Sequence, residues 1–223
     1  MNLVFYLTFI YNIFVIKFVE KKMNLNEMKQ CVEILHNEWN LGRIESKAEG
    51  KICAWIELMW ILGESENVLL YKENNRVIGF AGYSKKTSNK HLVRKKFYHF
   101  IEKRLSNSKK IKDKEGFKKY YDNYAYVPNN LKEHFDGQVT MLIVDKNYRG
   151  KSIGKKLLLE IFELAKKDSM KNIQITTDES CNYKIYEKLE CTKIFETIVK
   201  NQEPEILGNI KEQKAFIYEK KFI

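Results

Sequence analysis

The sequence predicts an α/β protein with a mixed sheet, on three observations. Residues 139–144 form a continuous apolar run, as expected of a buried strand. A turn and a stretch with apolar residues at helical spacing follow, and residues 173–177 form a second β-prone run. A strand, a helix and a strand in this order predict a right-handed parallel crossover. A hairpin earlier in the chain adds antiparallel strands, so the sheet is mixed.

The elements before the apolar strand can be predicted in order. Asn24 or Asn26 can cap a first helix, and a second helix is predicted at about residues 45–62, ending at Gly63. Residues 68–71 and 77–83 predict a hairpin around a turn at 73–76. The first helix has one apolar face, formed by Met28, Cys31, Val32, Leu35 and Trp39.

Residues 84–137 predict a basic helical insertion before the apolar strand. They hold 15 Lys or Arg against 6 Asp or Glu, and most of the net charge of +11 lies here. Such a patch suits an acidic partner such as phosphates, nucleic acid or a membrane surface, and a merely solvated lysine-rich surface is the open alternative. Helical spacing is shown by Val93, Phe97, Phe100, Ile101 and Leu105, and then by Phe117, Tyr120, Tyr121 and Tyr124. Many of these side chains should therefore face the domain.

The N-terminal residues carry a separate signal. Residues 1–16 have no charge, but they are shorter than the ~20 residues of a membrane span and lack the features of a secretory signal. We expect residues 1–14 to be an apolar extension and residues 15–223 to be one domain that begins with a strand at 15–19. A membrane or partner anchor, an added strand and a start placed upstream of Met23 stay open. Membrane association through residues 1–16 is not favoured.

Cysteine and histidine usage favours a cytoplasmic protein without metal. Cys31, Cys53, Cys181 and Cys191 form no C-x-x-C pair, so free thiols in a reducing compartment are expected. The four histidines are scattered and no H-E-x-x-H occurs, so we expect no metal site.

The turn after the apolar strand predicts an anion site. It leads into a helix whose first turn presents unpaired N–H groups, and its small residues allow a phosphate to approach closely. Lys151, Lys155 and Lys156 add positive charge. A turn beside a surface lysine cluster is the alternative, and neither a P-loop nor a G-x-G-x-x-G pattern is present. The helix has apolar residues at Ile153, Leu157, Leu158, Ile161, Phe162 and Ala165. Beyond it, residues 182–189 predict a short helix, and residues 194–199 and 215–218 predict strands.

Two segments resemble motifs of the GNAT superfamily of N-acetyltransferases. Residues 149–154, Arg-Gly-Lys-Ser-Ile-Gly, are similar to motif A, Q/R-x-x-G-x-G/A, with Ser152 where the family has glycine. Residues 186–191 resemble its Y-E-K-x-G-F, with Glu190 in place of the glycine and Cys191 in place of the aromatic residue. The resemblance implies a GNAT-like acyl-CoA N-acyltransferase fold with a helical insertion before the motif A strand. It also implies that this insertion walls one side of an acceptor pocket.

The resemblance also implies acetyl-CoA as co-substrate and assigns the residues that bind it. Pantetheine would lie where the strand at 139–144 splays from the strand at 173–177. Asn182 stands one helical turn before Tyr186, which makes it a further candidate for binding the cofactor. The cofactor-binding candidates are Leu142, Ile143, Val144, Arg149, Gly150, Lys151, Ser152, Ile153, Gly154, Lys155 and Asn182.

The implied reaction is direct attack of a primary amine, of a small molecule or a peptide, on the thioester in a ternary complex. Tyr186 is the catalytic candidate, because a phenol can protonate the departing thiolate. Cys181 has no nearby histidine in the sequence to activate it as a nucleophile. The general base is not identified, because Gln138 stands where some relatives have glutamate. A water chain, Asp136 or a residue of the insertion could accept the proton, or the amine could arrive already neutral.

Two other functions stay open at this point. Ser152, Gln138 and Glu190 depart from the family pattern, which suits an acyl-CoA-binding module that has lost turnover. Nucleic-acid binding through residues 84–137 is less favoured, because no nucleic-acid-binding motif is present, and no specific nucleic-acid partner is expected. The oligomeric state stays open between monomer and homodimer.

Overall fold

A computed structural model describes residues 23–39, 47–86, 92–112, 114, 127–200 and 212–222. Three predictions lie outside these residues: the extension at 1–14, the strand at 15–19 and the helix around residues 117–124. No helix in the described ranges combines the length and the apolarity that a membrane span requires.

The first two predicted helices are confirmed. α1 (Leu25–Glu38) begins with a capping box, in which Glu27 N donates to Asn24 Oδ1 at 3.0 Å and Asn24 N donates to the Glu27 carboxylate at 2.6 Å. α2 (Lys47–Glu64) runs one residue past Gly63, the predicted end.

The described strands form one mixed sheet in the order β1-β2-β3-β4-β6-β5, which confirms the predicted fold class. β3 and β4 are parallel and the other neighbours are antiparallel. The predicted hairpin turns at Asn74 and Asn75, whose φ angles of 50° and 63° suit the right-handed twist of the two strands. The strands are β1 (Asn67–Glu73), β2 (Arg76–Lys85), β3 (Gly137–Val144), β4 (Asn172–Asp178), β5 (Thr192–Lys200) and β6 (Glu212–Lys221).

Helices cover both faces of the sheet and create two cores. α1, α2 and α3 (Leu92–Ser106) pack on one face, where Phe80, Met141 and Ile143 are buried among their side chains. α5 (Ile153–Lys167) and α6 (Lys184–Lys188) pack on the other face, against Ile173 and Tyr218. A one-turn helix, α4 (Asn129–Lys132), precedes β3.

The apolar pattern of α5 is confirmed, whereas that of β3 is confirmed on one face only. All six predicted apolar residues of α5 are buried. In β3, Met141 and Ile143 are buried in the first core, but Leu142 and Val144 are only partly buried against the second. The prediction of a strand buried on both faces is therefore wrong, because one face of β3 is incompletely covered near its end.

The insertion contains the predicted helix, and Phe97, Ile101 and Leu105 pack on the domain as predicted, whereas Val93 and Phe100 do not. Tyr98, Ile101 and Leu105 of α3 are buried. Val93 and Phe100, predicted among the inward-facing residues, are 70% and 53% exposed. They lie seven residues apart on another face of the helix, and the face that contacts α2 is the one formed by the three buried residues.

Candidate functional site

β3 and β4 separate almost as soon as they begin. The two strands pair only at Gly137 with Ile173 and at Gln138 with Gln174. β3 continues to pair with β2 as far as Val144, which lies opposite Gly79. Within the described residues, the edge of residues 139–144 that faces β4 therefore has no strand partner. A gap opens between the two parallel strands toward their carboxyl ends.

The gap opens at a β-bulge in β3. Gly82 pairs with Met141 and Tyr83 pairs with Val139, so Thr140 is one extra residue on β3. A bulge bends its strand and increases the local twist. The bend begins directly after the last β3–β4 pair, so we attribute the divergence of the two strands to it.

The segment that follows β3 presents a row of free backbone amides. Gly150 and Ser152 have φ angles of +82° and +58°, and α5 begins at Ile153. The first amide of this segment to donate a backbone hydrogen bond is that of Lys156, to Ser152 O at 3.0 Å. Among the described residues, the amides of residues 150–155 have no backbone or side-chain acceptor. Unpaired amides at a helix N-terminus bind anions.

The two residues that replace family glycines both have a left-handed backbone. Ser152 has φ 58° and ψ 19°, and Glu190 has φ 59°. This conformation costs an ordinary residue about 1 kcal/mol relative to glycine. The Glu190 side chain is 90% exposed, so the replacement puts no charge into the core. Both departures from the motifs thus keep a backbone path that glycine would favour.

Arg149 organises the turn through contacts within the protein. Its guanidinium contacts the buried carboxylate of Glu38 in α1, and its Nε lies 3.5 Å from Val144 O. Its amide donates to Lys146 O at 3.4 Å, and Glu38 also accepts from Lys146 N at 2.7 Å. Because these groups of Arg149 already have acceptors, the free amides begin at Gly150.

Two lysines add positive charge at the start of α5. The ammonium of Lys151 lies 5.0 Å from the ring centroid of Tyr148 and 3.9 Å from the carboxylate of Glu73. Lys156 Nζ donates to Tyr71 Oη at 3.2 Å. The local charge and the free amides both favour an anionic ligand.

The ends of three elements meet beside Gly154. A Cβ atom added to Gly154 would lie 3.8 Å from Val144 Cγ2 and 4.0 Å from Ile185 Cδ1. The end of β3, the first turn of α5 and the start of α6 therefore enclose one site. Ile185 was not predicted as a site residue. Its position directly before Tyr186 was the signal available in the sequence.

Tyr186, the residue after Ile185, is buried, with only 7% of its surface exposed. Its ring centroid lies 5.4 Å from that of Tyr218. Burial raises the pKa of the Tyr186 phenol well above its usual value, and the nearby Cys181 thiol adds to the rise. A side-chain hydrogen bond with Thr177 acts in the opposite direction. The phenol is consequently uncharged at neutral pH and can donate a proton or a hydrogen bond.

The prediction that Asn182 shares a helical face with Tyr186 is wrong. α6 begins only at Lys184, and Asn182 is an exposed residue of the preceding loop. Asp178 shapes this loop, because its Oδ1 accepts from Ser180 N at 2.8 Å and its carbonyl accepts from Cys181 N at 3.2 Å. This turn takes up residues 178–181, so the helix cannot begin early enough to include Asn182.

Gln138, which stands where some relatives have glutamate, and the candidate base Asp136 lie at the paired end of β3. Gln138 occupies the last position at which β3 pairs with β4. The Asp136 carboxylate accepts from Lys171 N at 2.6 Å, and Asp136 N donates to Asn172 Oδ1 at 3.0 Å. Asp136 thus belongs to the network that closes this end of the sheet. Within the described residues there is no group of three or more His, Cys, Asp or Glu side chains that could hold a metal ion.

Comparisons with known proteins agree with this geometry. Residues 113–190 match the family model described as "Acetyltransferase (GNAT) family", a range that includes β3, α5, β4 and α6. The family match confirms the resemblance of the two motifs over this part of the chain, and enzymes of this family use acetyl-CoA. No curated protein matches the sequence.

Solved structures with the same fold cover almost the whole chain. PH1933 from Pyrococcus horikoshii OT3 is 18% identical, with a TM-score of 0.53, over 92% of this chain and 96% of its own. An aminoglycoside 6'-N-acetyltransferase complexed with coenzyme A is 11% identical, with a TM-score of 0.52, over 92% and 95%. An agmatine N-acetyltransferase variant is 11% identical, with a TM-score of 0.52, over 91% and 98%. At these identities the likeness shows the fold.

Proposed function

We propose that this chain, which carries a GNAT domain at residues 113–190, transfers the acetyl group of acetyl-CoA to a primary amine of a small molecule or a peptide. The observation that carries the proposal is the gap between β3 and β4, which leads directly to the free amides of residues 150–155. The resemblance assigns the pantetheine of acetyl-CoA to this gap and its pyrophosphate to the amides of residues 149–155, of which those of residues 150–155 are free.

The residues present fit that co-substrate. The free backbone edge at Leu142–Val144 can hydrogen-bond the amide groups of pantetheine, and the amides of residues 150–155 can donate to a pyrophosphate. Lys151 and Lys155 supply charge beside these amides. Arg149 supports the site through the turn, because its side chain contacts Glu38.

We assign the departure of the thiol to Tyr186. The amine nitrogen attacks the thioester carbonyl carbon, the carbon–sulfur bond breaks, and the sulfur leaves with the electron pair. The thiolate takes a proton from the Tyr186 phenol, the amine loses its proton to water, and water returns a proton to the phenolate. Burial raises the pKa of the phenol, so the phenol keeps its proton until the thiolate forms.

Two structural relatives, an aminoglycoside 6'-N-acetyltransferase and an agmatine N-acetyltransferase, are named for amine acceptors, which supports an amine as the acceptor here. Direct attack requires the amine to be neutral, so turnover should rise with pH as the amine loses its proton. We place residues 84–137 on the acceptor side, as a helical wall, and expect no specific binding of nucleic acid to them.

Calorimetry with acetyl-CoA tests the assignment. Gly154→Val should weaken binding by at least ~30-fold, because its methyl groups would extend beyond the ordinary contacts to Val144 and Ile185 and fill the mouth of the gap; tenfold corresponds to about 1.4 kcal/mol. Gly154→Ala is the matched control, since its Cβ meets neighbours at 3.8 Å or more and should fit.

An amine panel, read by release of the thiol, then tests transfer. Equal affinity of Gly154→Val and the wild type would refute the assigned site. Tight acetyl-CoA binding with no thiol release from any amine would favour the binding module over the enzyme.

A further inference from the structure

We propose that the hydroxyl pair of Ser65 and Thr140 is a positioning device that holds β3 at the separation from β4 that acetyl-CoA requires, and that Arg94 links this pair to the insertion. The inference rests on the proposed function for its ligand. The contacts of Ser65, Thr140 and Arg94 on which it is based are present in the protein without a ligand.

The pair joins two distant parts of the chain. Thr140 is the extra residue of the bulge that begins the divergence of β3. Its Oγ1 lies 2.6 Å from the Oγ of Ser65, a buried hydrogen bond between residues 75 positions apart. Ser65 is 2% exposed and Thr140 is 8% exposed, so water does not compete freely for either hydroxyl. A bulge held by a buried hydrogen bond resists sliding back into register.

Gly82 of β2 makes room for the pair. A Cβ atom at Gly82 would lie 2.6 Å from both hydroxyl oxygens, closer than any real contact. The site opposite the bulge therefore accepts two hydroxyl groups only because this residue has no side chain.

Ser65 is itself held from several sides. Its amide donates to Ile61 O at 2.9 Å, and the next amide, that of Glu66, donates to Tyr83 O at 2.7 Å. The guanidinium of Arg94 in α3 contacts the Ser65 carbonyl and lies 3.1 Å from the Glu66 carbonyl. The first helix of the insertion is thus connected, through one residue, to the strand that borders the gap.

This connection predicts a measurable effect on cofactor binding. Loss of the Thr140 hydroxyl leaves Ser65 Oγ buried without its partner and releases the bulge. The backbone groups of Leu142 and Val144 that face the gap then spend more time in positions that do not match pantetheine. We therefore expect the device to act on acetyl-CoA affinity, and to change KM for acetyl-CoA rather than kcat.

Thr140→Val and Thr140→Ser are the test pair, because valine keeps the shape of threonine and serine keeps the hydroxyl. Thr140→Val should weaken acetyl-CoA binding by ~5–10-fold, an amount that one buried hydrogen bond can supply. It should also speed hydrogen exchange of the amides of residues 141–144 in the free protein. Thr140→Ser should stay within about twofold of the wild type on both measurements.

Tyr83→Phe controls for a general loss of stability. It removes another buried hydroxyl from the sheet, whose Oη donates to Asp168 at 2.7 Å, without touching the Ser65–Thr140 pair. It should lower the free energy of unfolding by a similar amount while acetyl-CoA affinity stays within about twofold. Equal weakening in Tyr83→Phe and Thr140→Val would overturn the positioning role.

Arg94→Gln tests the link to the insertion. Its effect on affinity should be smaller than that of Thr140→Val, and the two should not add in the double variant, because they act through Ser65. Full additivity would remove Arg94 from the proposal.

The two proposals fail separately. If the wild type binds no acetyl-CoA, the proposed function fails, and the exchange of residues 141–144 in the free variants still decides the role of the pair. Wild-type exchange in Thr140→Val would refute the device whatever the ligand.

Discussion

The two ends of the β3–β4 pair differ in how their polar groups are satisfied. At the paired end, Asn172 Nδ2 donates to Glu219 Oε1 at 2.8 Å and to His134 O at 3.1 Å, while its Oδ1 accepts from Asp136 N. His134 Nε2 lies 2.8 Å from the same Glu219 oxygen. At the open end, the amides of residues 150–155 have no acceptor within the described residues.

This difference indicates which end of the β3–β4 pair contributes to stability and which end is available to a ligand. Polar groups that are paired within the protein stabilise the fold but offer nothing to a ligand. Unpaired amides at a helix N-terminus favour an anion, and in the proposed function the pyrophosphate of acetyl-CoA accepts from them. Removing a ligand-facing group at the open end should therefore alter binding or turnover, and removing a hydrogen bond at the paired end should alter stability.

The largest expected effect is at the open end. Tyr186→Phe should lower kcat by ~100-fold or more, the lower range of general acid catalysis, while acetyl-CoA affinity stays within about twofold. Burial raises the pKa of this phenol, so its protonated form extends to higher pH than for a free tyrosine. Wild-type kcat should therefore not fall from pH 8 to about pH 10. Steady-state kinetics across this range measure both effects.

Tyr183→Phe is the matched control, because it removes a phenol three residues away whose ring packs on Phe216. It should keep wild-type turnover. Wild-type kcat in Tyr186→Phe would assign the proton to another group.

At the paired end, Asn172→Ala should lower the free energy of unfolding by about 2 kcal/mol at pH 7, because it leaves buried partners unpaired. Acetyl-CoA affinity should stay within about twofold. Burial alone would raise the pKa of Glu219, but hydrogen bonds from Asn172 and His134 outweigh it and lower the pKa. This stabilisation is present above the ordinary carboxyl pKa and is lost as pH falls through the lowered one, so the difference from wild type should shrink below about pH 4.

Urea unfolding at pH 7 and at low pH measures this change. If the variant kept its stability but bound acetyl-CoA tenfold more weakly, the division between the two ends would be wrong.

The smallest expected effect concerns Ser152 at the open end and separates the role of its backbone from that of its hydroxyl. Ser152→Gly should raise the free energy of unfolding by ~1 kcal/mol, because glycine adopts φ 58° without strain. Affinity for acetyl-CoA should stay within about twofold, since the amides keep their path. Ser152→Ala is the control, because it removes the hydroxyl but keeps the strain, and it should gain no stability. A loss of affinity in Ser152→Gly would show that the hydroxyl itself contacts the ligand.

Parts of the site could be predicted because they depend on neighbouring residues. The turn at residues 149–154 and the helix after it follow from small residues and from apolar spacing, and the helix was confirmed at each predicted buried position. The same reasoning failed at Asn182, because a turn formed by Asp178 delays the start of α6 to Lys184 and leaves Asn182 in a loop. It also failed at Phe100, because the spacing that predicts a helix does not decide which face meets α2.

The sequence by itself determined the fold class, the order of the described elements and the motif segments, since propensity and periodicity act over a few residues. Only the tertiary structure decided where β3 leaves β4, because the bulge at Thr140 depends on Ser65, 75 residues away, and on the absence of a side chain at Gly82. It also decided that Arg149 contacts Glu38, 111 residues away, and that Tyr186 is buried against Tyr218. Such contacts join segments that are far apart in the sequence. Local sequence patterns do not predict them, because they form only when the elements pack together.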